Sequence, residues 1–220
     1  MAPILKQCNR LSFLQFGISS LTTRATSLSR LINQTMKLFD FFRPKDFDET
    51  ARKIYASLVE QARQPVFYFS FGVPDTPDGR FDMILLHAVL VLRRLKRDHD
   101  KTADLSQAVF DLMFADMDQN LREMGIGDLG VGKRVKAMAK AFYGRARAYE
   151  ASLAEEGTDA LNQALARNLY RKTSPDAAQI AAIADYMRTE ARRLDETDTD
   201  SLAAGNLMFG PAPAQPEEAV

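Results

Sequence analysis

The sequence predicts an all-α protein, a single helical domain of about six helices carrying one structured aromatic, Pro- and Gly-rich loop, with disordered N- and C-terminal tails. Apolar residues recur at helical spacing from about Phe47 to about Leu194, and no strand alternation, internal repeat or heptad run interrupts them. Pro65, Gly125 and Gly157 punctuate that stretch as helix-stop signals. The boundaries that follow are a leader over 1–46, a helical domain over 47–194 and a tail over 195–220.

Each element has its own signal. Asp48 is positioned to cap a first helix through Ile54, Leu58 and Gln61, with Glu49 in its first turn and Pro65 stopping it. PVFYFSFGVPDTPDGR (65–80) reads as a loop, with too many aromatics to be a solvated linker. Asp78 then caps a helix over 79–97, whose last turns carry Arg93, Arg94, Lys96 and Arg97. A third helix runs from Ala103 to Met124. Its stripe of Phe110, Phe114, Met117, Leu121 and Met124 predicts a central position, and Gly125 ends it. GIGDLGVGK (125–133) reads as a second special loop, followed by a helix to Glu156 with Val131, Val135, Met138, Phe142 and Tyr149 on its buried side. Short helices over 159–171 and 176–194 follow, the latter announced by Ser174–Pro175.

Composition excludes several function classes. Formal net charge is zero, so no bulk attraction to nucleic acid exists and DNA is not an expected partner. Cys8 is the lone cysteine, which rules out an internal disulfide and a multi-cysteine zinc site. The longest apolar run, MILLHAVLVL (83–92), falls well short of the roughly 20 residues that span a bilayer. Residues 1–37 hold five Lys/Arg (Lys6, Arg10, Arg24, Arg30, Lys37) and no acid. That composition fits a mitochondrial transit peptide, an upstream extension ahead of a start at Met36, or a membrane-surface segment.

Three clusters could carry chemistry. The loop GVPDTPDGRFD (72–82) offers a binding rim for a client or partner, with Pro74, Asp75 and Arg80 framing Phe67, Tyr68, Phe69 and Phe71; turn and cap chemistry is the plainer alternative. Asp116, Asp118, Arg122, Glu123 and Asp128, together with Asp78 and His87, read as a structural polar network of buried carboxylates and arginines around Arg80 and Arg122. Their spacing matches no metal motif, so neither a metal nor another cofactor is expected. No nucleophile context surrounds His87, so no catalytic residue is assigned and the chain is not expected to be an enzyme. Lys133, Lys136, Lys140 and Arg147 share one side of their helix, a basic face suited to ribosomal RNA phosphates or anionic lipid, or simply to water. The G-x-G-x-x-G at 125–130 lacks the preceding strand that a nucleotide fingerprint requires.

The runs QPVFYFSFGVPDTPDGRFDMILLHAVLVLRRL (64–95), SQAVFDLMFADMDQNLREMGIGDLGVGKRVKAMAKAFYGRARAY (106–149) and ALARNLYR (164–171) together resemble the ubiquinol–cytochrome c chaperone family, over about residues 47–190. The resemblance implies an all-α assembly chaperone of the cytochrome bc1 complex (respiratory complex III). It also implies action on newly made cytochrome b at the inner membrane, with a second assembly factor and near the ribosomal exit. The implied location is cytoplasmic and peripheral at the inner membrane in a bacterium, or the matrix side of the mitochondrial inner membrane. The alternatives are a lipid- or ribosome-binding module without a bc1 role, and an Asp/His metal-dependent enzyme. The family's motif falls here on Pro74, Asp75, Asp78, Gly79, Arg80, His87, Asp116, Asp118, Arg122, Glu123, Gly125, Gly127 and Asp128, as fold-defining or interface positions. The expected mechanism is a rigid body presenting an apolar groove lined by Phe67, Phe69, Phe71 and nearby methionines.

Overall fold

The computed structural model describes residues 49–213. The leader, Cys8, the Asp48 cap and the last residues of the tail lie outside the described residues. Within them the chain is entirely helical and loop: α1 (Glu49–Ala62), α2 (Pro65–Phe69), α3 (Pro77–Arg97), α4 (His99–Glu123), α5 (Asp128–Ala154), α6 (Asp159–Asn168), α7 (Ala177–Glu196) and α8 (Thr199–Ala203). Six of these have ten or more residues, and α2 and α8 are five-residue turns.

The central helix is α3, not α4 as the aromatic stripe suggested. Every residue from Phe81 to Val91 is buried, so α3 is covered on all sides. It packs against α1, α4, α5 and α7. Around it runs a ring in which α1 packs on α4, α4 on α5, α5 on α6, and α6 on α7. The stripe of α4 is its inward face, with Phe114, Met117 and Leu121 buried, while Met124 at its end is 53% exposed.

Several boundaries differ from the sequence reading, each for a local reason. The stretch 65–69 is a turn of helix because Pro65 occupies its first position, where a missing N–H costs nothing. The cap of α3 is Thr76, whose hydroxyl accepts from the Gly79 N–H; Pro77 then takes the first position and Asp78 falls inside the helix. Gly79 is fixed by space, since a Cβ there would collide with the Pro74 carbonyl. The cap of α7 is Asp176 rather than Ser174, in a reciprocal box with Gln179. Gly125, at φ 78°, ends α4 with paired bonds from Gly125 N–H to Arg122 and from Ile126 N–H to Leu121. The second special loop shrinks to the junction between helices, because α5 already starts at Asp128; Gly132 is buried and Gly130 sits close against Ile126.

The tail requires the largest correction. The expected disorder from 195 onward does not hold as far as Pro213, because α7 continues to Glu196 and α8 follows. An extended strap (206–213) then fills the gap between α1 and α7. Arg94, buried in α3, fastens the turn before α8 by donating to the Thr197 carbonyl at 2.6 Å and to Asp98 at 2.7 Å. Leu207 is buried in the strap. Ser57 of α1 donates to the Leu207 carbonyl at 2.9 Å, and Gln61 donates to that of Gly210 at 3.0 Å. The Gly210 N–H donates to buried Glu190 of α7 at 2.9 Å. Three side chains thus bond the backbone of Leu207 and Gly210, the strap's two buried residues, which explains how a segment without regular structure can be held between two helices.

Candidate client and partner surfaces

The expected rim divides on folding. Phe67 and Phe71 are fully buried and cannot grip a client. Phe67 packs on Tyr186 at 5.2 Å and on His87 at 5.8 Å, between centroids. The Phe71 carbonyl accepts from Tyr170 at 2.8 Å, which anchors the loop to the end of α6. The one-turn helix α2 turns these aromatics inward and sends Phe69 outward, where it is 83% exposed.

Beside Phe69 lies a cleft of about 220 Å³, lined by Arg63, Pro65, Tyr68, Phe69, Asp75 and Arg80. Tyr68 is half-buried and held in place by donating to the Ala62 carbonyl at 2.8 Å. Burial pushes its hydroxyl up to about 12, so it stays a neutral donor at physiological pH. Arg80 and Asp75 pair at 2.6 Å across the rim, and the bond holds the Asp75 carboxyl below its usual range. The cleft therefore offers apolar ring faces edged by one cation–anion pair, with Pro74 half-buried behind it. Such a surface suits an apolar segment with polar backbone ends.

The seven residues expected to form one network do not form one: only Asp118, Arg122 and Asp128 meet. Asp78 is exposed and pairs with Lys172 at 2.5 Å. Asp116 accepts from the Tyr55 hydroxyl at 2.7 Å and from Asn120 at 3.1 Å, tying α4 to α1. Buried Asp118 pairs with Arg122 at 2.6 Å, and Arg122 also reaches exposed Asp128. Glu123 accepts from Gln119 on the surface at 2.9 Å. Arg80 and Arg122, the expected hubs, are both largely exposed.

The buried ion pair lies elsewhere, between Asp82 of α3 and Arg145 of α5, 2.5 Å apart, with Arg171 a second partner of Asp82 at 3.3 Å. Burial raises the Asp82 carboxyl pKa despite the two guanidiniums opposing it. The sequence held a signal for this pair. Arg145 falls between Phe142 and Tyr149 on the apolar stripe of α5, where a cation needs a partner.

His87 belongs to a separate chain of hydrogen bonds. Its Nδ1 lies 2.8 Å from the Met83 carbonyl, which only accepts, so Nδ1 carries the proton. Nε2 therefore accepts from the Tyr186 hydroxyl at 2.8 Å, and Tyr186 accepts from Gln61 at 2.9 Å. Gln61 gives its second proton to Gly210 in the strap, and Phe209 covers the imidazole at 5.3 Å. Asp116 and Asp118 have other partners, so these three groups share no hydrogen-bonded site. Burial lowers the His87 pKa from 6.5 to about 4. The folded state then binds fewer protons than the unfolded one, so this contribution is present above pH 6.5 and is lost as pH falls toward 4. The expected loss is about 3 kcal/mol across that window. Urea midpoints measured against pH should show it in the parent chain, and it should be missing from the curve of His87→Gln.

The basic face lies on the outward side of α5. Lys133, Lys136, Lys140 and Arg147 are all exposed, and among the described residues none of them forms an ion pair. Among the described residues no cluster of three or more His, Cys, Asp or Glu is arranged to hold a metal ion, and no helix is long and apolar enough to cross a membrane.

Comparison with known proteins converges on one family. Residues 69–209 match the family model described as ubiquinol-cytochrome C chaperone. The chain is 25% identical over 162 residues to ubiquinol-cytochrome-c reductase complex assembly factor 1 of Xenopus laevis, spanning 73% of this chain and 80% of that protein. It has the same identity to the Homo sapiens protein, again over 73% of this chain but only 54% of the human one. A crystal structure of the Cbp3 homolog from Brucella abortus superposes with a TM-score of 0.68 at 34% identity, covering 86% of this chain and 98% of that one. The matched region includes the cleft residues Phe69, Asp75 and Arg80, the Asp82–Arg145 pair and the strap as far as Phe209, so by sequence and by fold the chain belongs to the ubiquinol–cytochrome c chaperone family.

Proposed function

We propose that this protein is an assembly chaperone of the ubiquinol–cytochrome c reductase (bc1) complex that holds newly made cytochrome b through the rim at Phe69, working by binding rather than catalysis. The observation that carries the proposal is one nearly fully exposed aromatic ring on an otherwise well-packed helical body, beside a cleft with a fixed tyrosine and an ion pair. An exposed ring on a rigid one-turn helix can dock an apolar segment with little loss of its own entropy. Relatives named as reductase complex assembly factors support the choice of client complex. On this reading the protein works at the inner membrane, peripherally, with a second assembly factor as a further partner.

Deleting the gene should deplete assembled bc1 complex on native gels, and the parent gene should restore it. Re-expression of Phe69→Asp should fail to restore it although that chain folds normally, because an exposed position changes stability by only about 0.5 kcal/mol. Normal bc1 levels in the deletion strain would remove the proposal. Full rescue by Phe69→Asp would keep the client and remove the rim.

A further inference from the structure

We infer that the outward face of α5 is a docking surface for anionic lipid bilayers, with the corner at Leu129 entering the interface and the lysines behind it resting on headgroups. The chain as a whole is neutral, yet α5 carries six basic residues against two acidic ones. The asymmetry is sharper on its solvent side. Leu129, Lys133, Lys136, Lys140, Tyr143 and Arg147 succeed one another at helical spacing, all are exposed, and no acid lies on α5 between Leu129 and Tyr149. This ridge is about 27 Å long at the helical rise per residue. Much of the positive charge elsewhere is neutralised locally: Arg80, Arg93, Arg94, Lys96, Arg97, Arg122, Arg171 and Lys172 are in ion pairs.

Charge alone would fit any polyanion. The apolar residues on the same face choose between them. Leu129 is 94% exposed in the first turn of α5, one turn before Lys133. Tyr143 is half in and half out, its ring braced on Phe142 at 5.7 Å and on Phe110 at 6.0 Å. Aliphatic groups projecting beside lysines have nothing to bind on a phosphate backbone. At a bilayer they enter the acyl boundary while the lysines meet the headgroups, and a braced tyrosine sits at the level between them. Since no helix among the described residues can cross a membrane, docking by this part of the chain would be peripheral. The inference is independent of which client the protein holds, so a negative bc1 result would leave it standing.

The test uses the full-length protein, which contains no tryptophan. Leu129→Trp therefore introduces a single reporter at the corner. Its emission should shift to the blue and be quenched by brominated lipid on phosphatidylcholine vesicles containing phosphatidylglycerol, and should stay unchanged on pure phosphatidylcholine. Adding Lys133→Glu, Lys136→Glu and Lys140→Glu should weaken binding by at least about a hundredfold, at roughly fivefold per cation near an anionic surface. No shift on anionic vesicles, or a shift that survives the triple reversal, would overturn the assignment. So would polyuridylate binding that competes with vesicles and is equally strong in the parent and in Leu129→Ser, since that would mark a general polyanion site.

Discussion

Replacing Arg145 by Met should destabilise the protein by about 3 kcal/mol, one of the two largest effects expected from a small change to this chain. Arg145 and Asp82 are almost fully buried and bond at 2.5 Å between α5 and the central helix. Removing the cation leaves a buried carboxylate with only half-exposed Arg171 at 3.3 Å, which places the cost at the low end for a broken buried pair. The deficit should depend on pH with a definite sign. Asp82 already has a raised pKa through burial, and losing Arg145 raises it further. The folded variant therefore keeps a proton that the unfolded chain releases, so the deficit is largest at neutral pH and narrows as pH falls toward the ordinary carboxylate value of 3.8. The double change Asp82→Leu with Arg145→Met should recover most of the loss, because apolar groups of similar volume need no partner. Urea unfolding at two pH values checks all three statements. An Arg145→Met chain within about 0.5 kcal/mol of the parent would show that the pair is not a structural clamp.

Truncation after Gly205 should cost about 4 kcal/mol, although residues 206–213 contain no regular secondary structure. The deletion exposes the site of buried Leu207, worth about 2 kcal/mol, and strips Gln61 and Glu190 of bonds worth about 1 kcal/mol each. It also lifts Phe209 from the His87 ring. Water would then reach the imidazole, and its pKa should climb from about 4 back toward 6.5, readable as a proton NMR titration. A truncated chain with unchanged urea midpoint and an unshifted histidine would mean that the strap is only laid on the surface.

These two expectations come from features that the sequence revealed unevenly. Helical periodicity identified the helices and the inward stripe of α4, because local spacing alone determines which side of a helix is apolar. Caps were misplaced by two residues at Thr76 and Asp176, where several cap-forming side chains compete and only the position of proline relative to the first turn decides. The aromatic loop was recognised as packed, but which rings face inward depends on the single turn of α2. The central role of α3 is legible in its continuous apolar run, a weaker-looking signal than the larger side chains of the α4 stripe. The clamps were hardest to read. Asp82 meets Arg145 across 63 positions, and Gln61 meets Gly210 across 149, distances at which sequence spacing carries no geometric information. What the sequence does contain is the misfit itself. Gln61, Arg145 and Glu190 each sit on an apolar stripe, and a polar side chain there signals a partner without naming it.

The same logic separates surfaces that work from surfaces that hold. Phe71 and His87 lie in the region matched by the family and Phe67 just before it, yet all three are sealed inside, so on the proposed reading they present Phe69 and the Arg80–Asp75 edge in a fixed geometry. The basic side of α5 involves none of these residues, so variants of the two surfaces test the proposed client and membrane contacts separately.

Site-specific photocrosslinking at the rim tests the central claim most directly. A benzoylphenylalanine in place of Phe69, in cells synthesising the bc1 complex, should form an adduct with newly made cytochrome b, whereas the same group in place of Tyr143 should not. Adducts to cytochrome b from position 143 and none from position 69 would contradict the account, because the client would then lie on the cationic face and not in the cleft beside the exposed ring.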